Sequence, residues 1–286
     1  MEWNKLLSPK TKTERKKEPE KFFEYPINDM ETDYEQIISS SAFRRLQDKT
    51  QVFPLDKSDF VRTRLTHSIE VSSIARQLGI MIQKTPKKYG PNLFENENKN
   101  IIENILNIPS ILACAGLLHD IGNPPFGHFG EAVIGDWFKK ELEKDDFNFN
   151  NKPIRKILND QMKRDLENFE GNAQVLRILT KSHSNSNDIN LSYSILNILI
   201  KYPTDSEDFS SIYEDIKKHK LGYYYSENNT LKNICETTGT EIEGEYVRHP
   251  LTFLLEAADD IAYAIADLED AFKKGLFTID QFIEYY

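Results

Sequence analysis

Between Leu117 and Glu131 the chain reads Leu-Leu-His-Asp-Ile-Gly-Asn-Pro-Pro-Phe-Gly-His-Phe-Gly-Glu, which crowds two imidazoles, His119 and His128, and two carboxylates, Asp120 and Glu131, into one short stretch. Imidazole and carboxylate together suit a divalent metal, and a carboxylate-oriented imidazole moves protons near neutral pH. His119 and Asp120 close an apolar run, Ile111 to Leu118, where unpaired polar groups are costly and a divalent cation would satisfy both. His128 and Glu131 stand three residues apart, so the carboxylate could orient and polarise the imidazole. The plain alternative is a capping histidine with a solvated aspartate at a helix end, and a loop histidine near a helix-start glutamate. For an isolated His-Asp pair that alternative is the better one, so the case for chemistry depends on distant residues.

Those residues need elements to carry them. Pro109 and Ser110 before the apolar run, and Gly122 with two prolines after it, predict a short buried helix ending at His119. Gly130 to Leu142 predicts a second helix with Glu131 in its first turn, where a carboxylate is favoured. From Phe60 to about Leu78, His67 is in register with Val71, Ile74 and Leu78, so it lies on the apolar face and points inward. A core histidine bonded to backbone is the commoner fate of such a residue. Arg64, three residues earlier on the same side, could meet an anionic ligand beside a metal. Arg248 to Asp270 predicts a long helix. Taking about 100° per residue from Asp259, Tyr263 lies near 40° and Asp267 near 80°, with Leu254, Leu255, Ile261, Ala262, Ile265 and Leu268 across the other side. Asp259 is nearer the apolar flank than Asp260 and is the better candidate for a partly buried ligand; alone, this would be a surface helix with an acidic face.

Elsewhere the signals are weaker. Tyr34 to Leu46 is helix-like, followed by an extended Thr50-Gln51-Val52-Phe53-Pro54, in which Gln51 is either a surface amide or a group aimed into a pocket. Phe169 to Leu176 begins another helix, and Leu191 to Ile200 forms one ending in Lys201-Tyr202-Pro203. Lys201 and Lys220 are each read as solvated when taken singly; as a pair flanking aromatics they could hold phosphates. Residues 84–104, 143–165 and 182–190 read as surface excursions or partial loop, and alternating strand patterns are scarce, so the fold expected is all-α.

At 286 residues and 39% apolar, the chain can build a substantial core. No apolar run approaches the roughly 18 residues of a membrane span, and the start lacks a signal-peptide core, which makes a cytoplasmic protein the expectation. Cys114 and Cys235 fit neither a zinc spacing nor a disulfide framework. A net charge of −10 argues against a general nucleic-acid surface and for small partners, with local basic clusters still able to bind phosphates. Residues 1–30, rich in lysine, read as a mobile basic arm, and 31–286 as one domain.

His67, His119, Asp120 and Asp259 make an H…HD…D constellation on or at the ends of helices. In this, and in Ser41-Ala42-Phe43-Arg44-Arg45-Leu46 through Thr50-Gln51-Val52-Phe53-Pro54, Thr63-Arg64-Leu65-Thr66-His67, Phe169-Glu170-Gly171-Asn172-Ala173-Gln174 and Glu256-Ala257-Ala258-Asp259-Asp260-Ile261-Ala262-Tyr263, the chain resembles the HD-domain phosphohydrolases. More narrowly it resembles their deoxyguanosinetriphosphate triphosphohydrolase branch, over roughly residues 30 to 275. The resemblance implies an HD helical bundle with a metal site between helices and hydrolysis of a dNTP, dGTP foremost, to deoxynucleoside and inorganic triphosphate. By position it makes His67, His119, Asp120 and Asp259 metal ligands and His128 with Glu131 the catalytic pair. It makes Gln51, Tyr263 and Asp267 contacts to sugar or base, and Arg64, Lys201 and Lys220 contacts to phosphate. The metal implied is Mn²⁺, Mg²⁺, or another of Fe²⁺, Co²⁺ and Zn²⁺. A dNTP effector and a homo-oligomer, with a hexamer as one form, are also implied. Family members continue past the position of Tyr286, so the resemblance implies a missing C-terminal extension. The rival readings are an HD phosphohydrolase acting on another nucleotide and a catalytically silent dNTP-binding oligomeric sensor.

Overall fold

The computed structural model describes residues 2–15, 28–54, 59–84, 104–181, 189–209 and 219–285. The chain is all-α. In order come α1 (Trp3–Leu6), α2 (Asp29–Ser39), α3 (Ser41–Arg44) with a 3-10 turn at Arg45–Asp48, α4 (Arg64–Lys84), α5 (Ile108–Leu118) and α6 (Gly127–Leu142). They are followed by α7 (Asp160–Glu167), α8 (Gly171–Thr180), α9 (Tyr193–Leu199), α10 (Asn228–Thr238), α11 (Thr252–Lys273) and α12 (Ile279–Tyr285). The strands among the described residues form two small antiparallel hairpins, Asn148–Phe149 with Lys152–Pro153 and Glu241–Ile242 with Glu245–Tyr246.

The centre of the bundle is α5. Every residue from Ile108 to Leu118 except Ser110 is buried, and a helix that is apolar all round belongs inside. It packs on α2, α4, α9 and α11. Pro109 in its first turn costs no hydrogen bond, and His119 ends it. The crossing with α4 is close: a Cβ at Gly116 would fall 2.6 Å from the Ser72 Cα, and the Ser72 hydroxyl donates to the Ala113 carbonyl at 2.8 Å. This contact brings the His67-bearing start of α4 up to the end of α5.

Helix α4 starts later than the apolar pattern from Phe60 predicts. Thr63 and Thr66 exchange side-chain-to-backbone hydrogen bonds at 3.0 and 3.3 Å, a reciprocal cap, and Thr63 also bridges Thr50. Arg62, just before the cap, binds Glu70 of α4 at 3.0 Å, and Glu269 and Asp270 of α11 at 2.5 and 2.7 Å, clamping the two helices together.

Helix α11 differs from expectation in which residues it buries. Leu255, Ala258, Ala262, Ala266 and Asp270 face the bundle, while Ile261, Ile265 and Leu268, expected on the buried side, are exposed. Small alanine side chains let α11 approach α4 and α5 closely and turn the larger residues outward.

Residues 2–15, expected from their charge to belong to a mobile arm, pack onto the bundle because Leu6 and Leu7 are buried. The Leu6 carbonyl accepts from His249 Nε2 at 3.0 Å, and Lys10 O accepts from Tyr193 N at 2.7 Å. Arg15 binds the buried Asp33, whose carboxylate also takes the Ser192 hydroxyl at 2.6 Å. The rest of the expected arm, residues 16–27, lies outside the described residues, as do 85–103 and 182–188 of the expected surface excursions.

Candidate metal centre and proton-transfer pair

Three helix termini or faces converge on one point. His67 comes from the first turn of α4, His119 and Asp120 from the end of α5, and Asp259 from the middle of α11. Both histidines are almost fully buried, with their rings edge to face at 5.2 Å. The backbone fixes the tautomer of His119: Nδ1 donates to the Gly116 carbonyl at 2.8 Å, leaving Nε2 to face the cluster. That nitrogen is buried and makes no hydrogen bond, although Asp259 Oδ1 lies 3.4 Å and Asp120 Oδ1 3.6 Å away. His67 Nε2 is 3.1 Å from the same Asp259 oxygen.

The donor set fits a divalent cation. One donor atom from each of His67, His119 and Asp120 can be chosen so that all lie within 4.8 Å of one another, and Asp259 touches both imidazoles. Ligands about 2.1 Å from one ion stand about 3 Å apart at right angles, close to the spacings seen here. Two imidazoles and two carboxylates suit a first-row transition metal better than an all-oxygen cage would. The electrostatics of the group are strongly coupled. Burial works against the charge on Asp259, but the facing His119 and His67 imidazoles outweigh it and hold the carboxyl well below the usual range. Asp120 is likewise lowered against its burial, by His119 and then Arg64. His119 is raised, because Asp120 and Asp259 outweigh the effect of its burial.

A second pair lies beyond the turn that follows Asp120. His128 Nδ1 is 2.6 Å from Glu131 Oε2. The Glu131 carboxylate is buried, while the His128 side chain is 77% exposed, so its other nitrogen is open to an incoming molecule. Phe126, which leads into α6, has φ 67°, and Gly127 has φ 53°. Left-handed backbone at a bulky residue is strained, at a cost of about 1–2 kcal/mol. Helix α6 begins at Gly127 and not Gly130, which puts His128 in its first turn and Glu131 one turn along.

The expected substrate-contact residues are placed as follows. Arg64 is buried and donates to Asp120 Oδ2 at 2.5 Å, beside the donor cluster. Lys201 Nζ is 3.4 Å from Asp259 Oδ2. Gln51 Oε1 is buried without a hydrogen-bond partner, unlike the amide of a surface glutamine. Tyr263 and Asp267 follow Asp259 along α11; Tyr263 is half exposed, and hydrogen bonding to Asp267 raises its pKa. Lys220 lies near Glu170, whose pKa is raised by burial and then by Glu131 against a smaller lowering by the Lys220 cation.

Sequence reasoning gave no role to Asn123 or Lys49. Asn123 Nδ2 donates to Asp120 Oδ1 at 2.7 Å, and Lys49 Nζ donates to the Asn123 carbonyl at 2.6 Å. Burial, then the neighbouring Arg64 cation, lowers the pKa of Lys49. The available signal was an amide side chain in a Gly-Asn-Pro-Pro turn directly after a candidate ligand, since such residues bond nearby groups.

Known proteins share this arrangement of sequence. The HD domain family matches residues 64–230, from the first residue of α4 into α10. A deoxyguanosinetriphosphate triphosphohydrolase-like protein of Listeria monocytogenes is 49% identical over 286 residues, covering 99% of this chain and 58% of the relative. A deoxyguanosinetriphosphate triphosphohydrolase of Yersinia enterocolitica is 38% identical over 92% of this chain and 54% of its own length. A triphosphohydrolase-like protein of Synechocystis is 38% identical over 96% of this chain and 61% of its own length. The chain thus spans somewhat over half the length of these curated relatives. With the His67, His119, Asp120 and Asp259 cluster at its centre and a family match over more than half its length, the chain belongs to the HD-domain family.

Proposed function

We propose that this chain is the HD part of a metal-dependent dNTP triphosphohydrolase, with dGTP as the first substrate to test, releasing deoxynucleoside and inorganic triphosphate. The observation that carries this reading is the buried, hydrogen-bond-free His119 Nε2 beside two carboxylates, in a chain 49% identical to a protein named deoxyguanosinetriphosphate triphosphohydrolase-like. His67, His119, Asp120 and Asp259 would hold Mn²⁺, Mg²⁺ or a related divalent ion. Such an ion supplies Lewis acidity and charge neutralisation at the α-phosphate.

In the proposed reaction, water attacks the α-phosphorus and the bond to the 5′ oxygen breaks. The water oxygen leaves in the triphosphate, and a proton goes to the 5′ oxygen. His128 is the proton carrier: Glu131 accepts its Nδ1–H, so Nε2 faces the reacting oxygens. Arg64, Lys201 and Lys220 offset the charge of the triphosphate, as their cationic heads suit them to do. Gln51 offers its unpaired amide oxygen to the base or sugar, and Tyr263 with Asp267 lines the sugar, where a 2′ hydroxyl would not fit. The reading includes a homo-oligomer, a dNTP effector and a cytoplasmic location. Among the described residues no helix is long and apolar enough to cross a membrane, and both cysteines are buried and free.

The test is anion-exchange separation of products after incubation with each dNTP and Mn²⁺ or Mg²⁺. Triphosphate with deoxynucleoside is expected; monophosphate with pyrophosphate, or binding without turnover, would contradict the reading. His128→Ala is expected to lower kcat about 10²–10⁴-fold with bound Mn²⁺ unchanged. Full turnover in that variant would remove His128 from proton transfer.

A further inference from the structure

The metal cluster and the proton-transfer pair meet at the first residue of α8. Gly171 N donates to Glu131 Oε1 at 2.8 Å, while the other oxygen of that carboxylate holds His128. Asn123, whose amide nitrogen binds Asp120, lies against the same glycine. A Cβ on residue 171 would stand 2.3 Å from Asn123 Oδ1 and 2.8 Å from Glu131 Oε1, so both side chains pack directly against the bare Cα. The start of α8 is itself anchored. The Tyr224 hydroxyl accepts from Glu170 N at 3.1 Å and donates to Glu170 O at 3.0 Å, and the Glu170 side chain caps the helix at Asn172. Lys49 holds the far side of the turn through the Asn123 carbonyl.

We propose that Asn123 is a positioning residue that orients the Asp120 carboxylate toward the metal, and that Gly171 is the shared seat on which Asn123 and Glu131 rest. Asp120 has two oxygens, and the protein directs both: Arg64 holds Oδ2 and Asn123 holds Oδ1. Without the Asn123 donor, only Arg64 restrains the carboxylate, and Oδ1 is held less firmly toward His119 Nε2. Hydrogen bonds that orient ligand groups in this way are typically worth about 10–100-fold in metal affinity. The seat adds a second consequence. A methyl group at residue 171 carries no chemistry, yet it must displace Asn123 and Glu131 together, so one substitution should disturb metal binding and proton transfer at once.

This inference rests on the metal reading above, but not on the identity of the substrate. The experiment is Mn²⁺ titration calorimetry on wild type, Asn123→Ala, Gly171→Ala and the double variant, with kcat for dGTP measured alongside and thermal melting as a check of folding. Asn123→Ala is expected to weaken Mn²⁺ binding 10–100-fold. Gly171→Ala is expected to weaken it comparably and to lower kcat measured at saturating Mn²⁺. The double variant should bind Mn²⁺ no more weakly than Asn123→Ala alone, because the oxygen the new methyl would strike is gone.

Mn²⁺ affinity of Asn123→Ala within threefold of wild type would overturn the proposal, as would losses that multiply in the double variant. Should Gly171→Ala fail to fold, the Asn123→Ala affinity decides alone. A wild-type chain that binds Mn²⁺ and releases no triphosphate would overturn the dNTP reading and leave this one standing. A wild-type chain that binds no Mn²⁺ would overturn both.

Discussion

His249 is fully buried at the start of α11 with both ring nitrogens used: Nε2 donates to Leu6 O and Nδ1 accepts from Leu251 N at 3.0 Å. Only the neutral ring fits, and burial pushes its pKa down to about 4 from 6.5. The folded state therefore refuses a proton that the unfolded chain takes up below pH 6.5, and stability is lost as the pH falls from 6.5 toward 4. The loss should approach about 3 kcal/mol at the lower end. Asp33 acts in the opposite sense, since burial raises it to about 6 and the folded state gains a proton first as the pH falls. Denaturant titrations at pH 7, 6 and 5 should thus show a pH-dependent difference between wild type and His249→Asn that shrinks with acid; a constant difference would mean that His249 is not held neutral. At this scale much was legible. Helical register alone turned His67 inward and preferred Asp259 to Asp260, and the structure buries the first and leaves Asp260 exposed. Asn123 was not legible, because its value lies in a hydrogen bond that only the folded turn creates.

The helices α4, α5 and α11 must keep fixed separations for their side chains to meet, and Arg62 does part of this with its fork of bonds to Glu70, Glu269 and Asp270. Asp270 is buried, so removing its cation leaves an uncompensated charge. Arg62→Ala should cost about 3–5 kcal/mol in a denaturant titration. A loss below about 1 kcal/mol would show that water replaces the clamp. The long helices were legible from spacing and from the Pro and Gly punctuation around α5, but their edges were not. Helix α4 waits for the Thr63–Thr66 cap, and α6 starts a turn early because Phe126 and Gly127 adopt left-handed backbone. On α11, the size of Ile261, Ile265 and Leu268 suggested the buried face, whereas close helix packing selected the smaller Ala258, Ala262 and Ala266.

For the whole molecule, a metal held by residues from α4, the end of α5 and α11 binds the folded chain and not the unfolded one. Mn²⁺ at 100 times its dissociation constant should add about 2.7 kcal/mol, or about 5 °C in Tm, and chelator should reverse it. An unchanged Tm would count against the cluster as a metal site. The all-α class was legible in the scarcity of alternating runs, while the packing of residues 2–15 was not, because lysine-rich composition hid the two leucines that anchor them. The most direct measurement is hydrolysis of dGTP in ¹⁸O-labelled water with Mn²⁺, followed by mass analysis of both products. One labelled oxygen in the triphosphate and none in the deoxynucleoside is the expected result, since attack at the α-phosphorus leaves the 5′ oxygen on the sugar. Label in the deoxynucleoside, or in a monophosphate released with pyrophosphate, would contradict the proposed reaction.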